Sequence, residues 1–279
     1  MFRPLFPKNS CEVALDNIRP AELLLRVYSL LENDEIQTEG AMVAQLRTLV
    51  QAGDEEDLLL VYNEIFLGLI RESAQMPRSE LRRSALENLL RQAVVAACTG
   101  LDAYLPSLLR VNLPIVIRAK GRDFFPFHDK ELRAFFDDLR FDLPTTLRLL
   151  EDPDEAPRFI ADKILGLTKF KYLSSRKGVY AVGALLGLHD TWSDIAARLH
   201  REQGELTRIL DATTRRRNDI VHRADRPQTD PTADIQEIGF AWARQSVDTI
   251  KHVCLALDEL VAKRITTLDS SVTENKEVP

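Results

Sequence analysis

The sequence predicts an all-α protein. Glycine is scarce, 11 residues in 279, while leucine, alanine, glutamate and arginine are abundant, a composition that favours helices. Apolar positions recur at spacings of three and four through most of the chain. Capping residues and prolines punctuate these runs at intervals of one helix length. At this length a chain buries a sizeable core without metal or disulfide staples.

The elements follow in order. Pro20 suits the first turn of a helix through Leu31. Thr38 can cap a helix ending at Gly53, and Asp54 another through about Ser73. These form an expected N-terminal helical extension, residues 1–77. Pro77 stops the chain, and Ser79 can cap a helix in which Leu86, Leu89, Leu90, Ala93, Ala97, Leu101 and Leu105 share a face; it is expected to end near Leu105. The small residues of AVVAACTG, Ala93 to Gly100, allow close helix approach and a central position. Beyond Pro106, the alternation of Val111, Leu113, Ile115 and Ile117 between prolines reads as extended chain.

From Phe124 to about Ile164, Pro126, Pro144, Pro153 and Pro157 divide the chain into short helices. Helices are then expected over Ser174–Leu188, over Thr191–His200 with Asp190 or Thr191 as cap, from Glu205 onward, and from about Thr232 to Arg264. A helical domain over 78–266 and a polar, disordered tail over 267–279 complete the organisation.

Composition narrows function. The three cysteines, Cys11, Cys98 and Cys254, form no CxxC pair and fit a reducing compartment, so a cytoplasmic location is expected. The N-terminus MFRPLFPKNS lacks the features of a signal peptide. Apolar runs such as Leu58 to Ile70 are broken by polar residues, so no membrane span is expected. The net charge of −6 rules out a whole-surface attraction for nucleic acid, and contact with a polyanion has to be local.

TTRRRNDIVHRADR supplies that locality. Arg215, Arg216, Arg217, Arg223 and Arg226 surround His222. Leu206, Leu210, Thr213, Arg217, Ile220 and Val221 fall on one helical stripe, which places Arg217 in an inward-facing row. Arginines near a helix end are also favoured by the macrodipole, a purely structural reading of the same cluster. The pair Arg122 and His128 encloses three phenylalanines and Pro126 and reads as an aromatic loop. His128, His189, His200 and His252 are scattered, with no HExxH or His-x-His, so no metal or other cofactor is expected. Gly178, Gly183 and Gly187 lack the Lys-Ser/Thr of a phosphate loop and read as close-packing positions.

The segment R-N-D-I-V-H resembles the RN-x-x-x-H signature of the HEPN superfamily. The order of CTGLDAYL, LGLHDTWSDIAARL, ELTRILDATTRRRN and a long final helix is similar to its ribosome-associated and phage-defence branches, over about Ser79 to Arg264. The resemblance implies a HEPN-type helical bundle that cleaves RNA without metal. The substrate's 2′-hydroxyl would attack phosphorus and leave a 2′,3′-cyclic phosphate.

It implies catalytic roles for Arg217, Asn218 and His222. An imidazole transfers protons near neutral pH, a guanidinium matches phosphate geometry, and Asn218 orients a phosphate or a loop. Asp102 stands where the family often carries an acid; it either orients His222 or Arg217 or is a solvated aspartate. Arg215, Arg216, Arg223 and Arg226 are expected along the RNA backbone. A homodimer through the motif helices and a role as a toxin or effector in antiviral or stress defence, with an antitoxin or defence partner, also follow. The competing expectation is a non-catalytic module that binds RNA or a protein.

Overall fold

The computed structural model describes residues 10–32, 78–124, 130–152, 155–167, 173–227, 229–230 and 232–274. The expected helices over 38–53 and 54–73, and His128, lie outside them. Among the described residues the chain is helical with no strand. The helices are α1 (Ser10–Glu32), α2 (Arg78–Lys120), α3 (Lys130–Asp138), α4 (Leu143–Glu151), α5 (Glu155–Leu165), α6 (Arg176–Leu185), α7 (Thr191–Leu199), α8 (Gln203–Arg223) and α9 (Phe240–Glu274). A short 3₁₀ turn, Gly121–Phe124, follows α2.

The chain divides into two compact units. One comprises Met1–Asn17, Cys98–Thr214 and Thr249–Pro279, the other Ile18–Ala97 and Arg215–Asp248. Leu105, Leu109, Ile164, Val182, Ile195, Leu210 and Leu257 are core residues of the first; Ile18, Leu25, Leu90, Val94, Ala243 and Val247 are core residues of the second.

The extended segment expected after Pro106 is instead helix. α2 runs unbroken to Lys120 with Pro106 and Pro114 inside it. An interior proline removes one backbone hydrogen bond and crowds the preceding turn, at about 3 kcal/mol. The opposing term is burial: Leu101, Leu105, Leu108, Leu109, Leu113, Val116 and Ile117 are buried at helical spacing. At about 1.5–3 kcal/mol for each large apolar side chain, this outweighs two prolines. The period-two alternation was incidental, since Val111 is 51% exposed while Leu113 is fully buried.

The length of α2 has a second consequence. Leu86–Lys120 is long and apolar enough to cross a membrane by length and composition alone, which corrects the expectation that no stretch is; half of its most apolar window is buried inside the protein. That is the mark of a core helix as much as of a span.

Other boundaries shift for local reasons. α1 begins at Ser10 and carries Pro20 in its interior rather than at its first turn. α9 begins at Phe240, not near Thr232, and continues to Glu274, so residues 267–274 of the expected disordered tail are helix. Asp190, rather than Thr191, caps α7 by accepting the Ser193 amide at 3.2 Å, and His200 in the left-handed region closes its end. Ser175 caps α6 through the Gly178 amide at 3.1 Å.

The glycines of α6 serve close packing, as expected. A Cβ on Gly178 would lie 2.1 Å from the Leu173 carbonyl oxygen, and one on Gly183 would lie 2.2 Å from Thr191 Oγ1. Backbone cannot yield as a side chain does, so Gly178→Ala is expected to destabilise the protein by about 3 kcal/mol. Thermal melting would register this as a clear drop in Tm, and an unchanged Tm would show that the α6 entry adapts freely.

Candidate functional site

The basic segment lies on the last turns of α8 and in the connector to α9, within the second unit. Residues 215–226 hold five arginines and two aspartates, and the structure assigns several of these charges to one another.

Asp225 is the centre. It is fully buried and lies just past the end of α8, where Ala224 and Asp225 both adopt left-handed backbone, φ 50° and 63°. Aspartate tolerates that conformation better than most residues. Its carboxylate accepts from Arg91 Nε at 2.7 Å and from an Arg216 terminal nitrogen at 2.8 Å, and Arg216 Nε forms a further ion pair with it. Its amide donates to the Asp219 carbonyl at 2.9 Å, and its own carbonyl accepts the Gln236 amide at 3.1 Å. One residue thus ends α8, binds two guanidiniums and pins the far end of the connector.

The two arginines are satisfied on their other sides. Arg91 donates to Glu87 at 2.7 Å and to the Gln236 carbonyl at 2.7 Å. Arg216 donates to the carbonyls of Gln236 and Glu237 at 3.1 and 3.0 Å and lies over the Trp242 ring, 5.7 Å from its centroid. A buried carboxylate between two hydrogen-bonded guanidiniums is the arrangement in which burial of charge is tolerated.

This changes which side chain interrupts the inward row of α8. The expectation was Arg217, with Ile220 and Val221 turned inward. Instead Arg216 is the one drawn into the ion network, Asp219 is buried, and Val221 is 51% exposed. Asp219 in turn pairs with Arg223 one turn on, and Arg226 Nε donates to the Ala233 carbonyl at 3.1 Å.

Asn218 and His222 of the motif occupy the opposite, wet side. Arg215, Asn218, Val221 and His222 are exposed, and spacings of three and four put Arg215, Asn218 and His222 on one face. Arg217 is half-buried and donates to Asn218 Oδ1 at 3.1 Å. Asn218 is thereby the link between the arginine and the stripe that carries His222. Asp102 belongs to the first unit, where its carboxylate accepts the Ser174 amide at 2.8 Å.

α8 is continuous through Arg223, so no unwinding at Asn218 turns Arg217 and His222 toward each other. On a regular helix a separation of five residues leaves two side chains roughly 140° apart and about 7.5 Å along the axis.

Other candidates for proton transfer or nucleophilic chemistry are weaker. Burial pushes the Cys254 thiol and the Tyr104 phenol well up, and it raises Cys11 too; Cys98 is buried. A nucleophilic cysteine needs a stabilised thiolate, the reverse of these environments. Among the described residues no group of three or more His, Cys, Asp or Glu is placed to hold a metal ion.

Asp225 and Arg91 went unnoticed in the sequence. The available signal was an aspartate between arginines in HRADR, and an arginine beside the apolar row of α2 with Glu87 one turn before it. Comparison of the chain with protein-family models, with curated proteins and with solved structures finds no match in any of the three.

Proposed function

We propose that the chain is a HEPN-type endoribonuclease that cleaves RNA by 2′-hydroxyl attack, with Arg217, Asn218 and His222 at its site. The observation that carries the reading is the exposed face of α8, where Asn218 and His222 stand one turn apart and Asn218 holds Arg217.

In this reaction the O2′–P bond forms as the P–O5′ bond breaks. One imidazole takes the 2′ proton or gives a proton to the leaving O5′. A guanidinium steadies charge on the non-bridging oxygens, and exposed Arg215 meets the adjacent backbone. One chain offers one imidazole at this face, and two-fold pairing of α8 helices would set a second beside it. A cytoplasmic toxin or effector in antiviral or stress defence, held in check by an antitoxin or defence partner, is the setting that accompanies this reading.

Purified protein is expected to cut single-stranded RNA in excess EDTA, to leave 2′,3′-cyclic phosphate ends, and to spare both DNA and RNA 2′-O-methylated at the cut position. End-group analysis decides it: cutting of DNA, or loss of cutting in EDTA, points to another mechanism. A non-catalytic module binding RNA or a protein is the second reading; the engagement of Arg216 and Arg223 in ion pairs takes away two expected backbone contacts and favours its protein-binding form. RNA bound but left intact in the same assay selects it.

A further inference from the structure

The first unit holds a separate cavity of about 580 Å³, inside the range of about 300–1,000 Å³ typical of small-molecule sites. Its lining includes Arg176, Lys177 and Tyr180 of α6, Trp192 of α7, Glu202 before α8 and Thr207 within it. Arg176 and Lys177 precede Tyr180 by four and three residues, so all three share one face.

Tyr180 and the two cations have features that packing alone does not explain. Tyr180 leaves half its surface exposed, a large ring on the wall of an open cleft. Arg176 and Lys177 occupy the first turn of α6, which carries no acid, and cations there oppose the helix dipole. Arg176 is offset in part by Asp211 at 3.4 Å. Trp192 is buried, its indole N–H donating to the Arg176 carbonyl at 3.1 Å. Glu202 adds one carboxylate to an otherwise cationic wall.

A flat ring, two cations and one acceptor-only group select a ligand with a flat face, an anionic end and hydroxyl donors between them. We propose that this cavity binds one unpaired nucleotide: its base stacks on Tyr180, its phosphate meets Lys177 and Arg176, and its ribose hydroxyls donate to Glu202. Base stacking on an exposed aromatic tolerates any base, so the site takes nucleotides as a class. A free nucleoside phosphate and a nucleotide within single-stranded RNA share this chemistry.

The test uses the full chain carrying His222→Ala, so that RNA survives, and Trp242→Phe, so that Trp192 is the remaining tryptophan of the two. Adenosine monophosphate is expected to change Trp192 fluorescence saturably, and calorimetry to report the same affinity, while inorganic phosphate binds far more weakly. Tyr180→Ala is expected to weaken binding at least tenfold, and Tyr180→Phe to preserve it within about threefold. Lys177→Gln is expected to weaken binding and to lower the salt dependence by about one charge.

A single-stranded tetranucleotide that binds more tightly than the monophosphate identifies an RNA strand as the occupant; exclusion of the tetranucleotide identifies a free nucleotide. Both outcomes support the site. Phosphate binding as well as the monophosphate, indifference to Tyr180→Ala, or no response from folded protein overturns it. The assignment is independent of cleavage at His222: intact RNA in the EDTA assay leaves it standing.

Discussion

Replacing His222 with alanine is expected to lower RNA cleavage by about 10²–10⁴-fold, the usual worth of a positioned proton-transfer group, with helix content and Tm nearly unchanged. The imidazole is exposed on α8, so its removal opens no cavity. Arg217→Ala is expected to lose about 10²–10³-fold, as when one donor to a developing oxyanion is deleted; its bond to Asn218 is exposed, so stability again changes little. Wild-type cleavage by either variant removes the proposed site.

The continuity of α8 sharpens this into a test of assembly. Because Arg217 and His222 leave a regular helix in different directions, one phosphate is best served by groups from two chains. Mixing the two inactive variants tests the arrangement: in a heterodimer, a shared cleft retains one arginine and one histidine, whereas neither chain keeps its own pair. Partial recovery of cleavage supports the shared cleft. Verified heterodimers that stay inactive, or an active protein that is strictly monomeric, exclude it.

How much of this was legible in the sequence follows the range of the interactions involved. The cap of α7 is local: Asp190, one of the two candidates the sequence offered, sits three residues from the amide it satisfies. α4 and α5, each with a proline in its first turn, are equally local. α2 past Pro106 was misread because proline is a strong local signal. The term that overrides it, a row from Leu101 to Ile117 buried by other elements, is not local.

The site divides in the same way. Helical spacing could not decide between Arg216 and Arg217 as the inward guanidinium, since both follow Thr213 by an allowed step, and the stripe read from it chose Arg217. A residue 134 positions from Arg91 decides it: the Asp225 carboxylate holds Arg91 and draws in Arg216.

Asp225 therefore carries the largest expected effect on stability. Asp225→Ala leaves the Arg216 side chain, 17% exposed, without its carboxylate partner and leaves Arg91, 6% exposed, with Glu87 alone. Removing one partner of a buried ion pair costs about 3–5 kcal/mol, which for a domain of this size lowers Tm by roughly 10 °C. Two contributions can be separated, because Asp225 also adopts left-handed backbone, in which alanine is strained and asparagine is not. If charge dominates, Asp225→Asn melts nearly as low as the alanine variant. If backbone strain dominates, asparagine recovers most of the loss. A triple variant with Arg91→Met, Arg216→Met and Asp225→Asn removes these three charges while keeping a residue that tolerates the left-handed backbone, and it is expected to regain part of the stability lost in Asp225→Ala. A Tm for Asp225→Ala within about 1 °C of wild type would show that the clamp contributes nothing, and the end of α8 would then need another anchor.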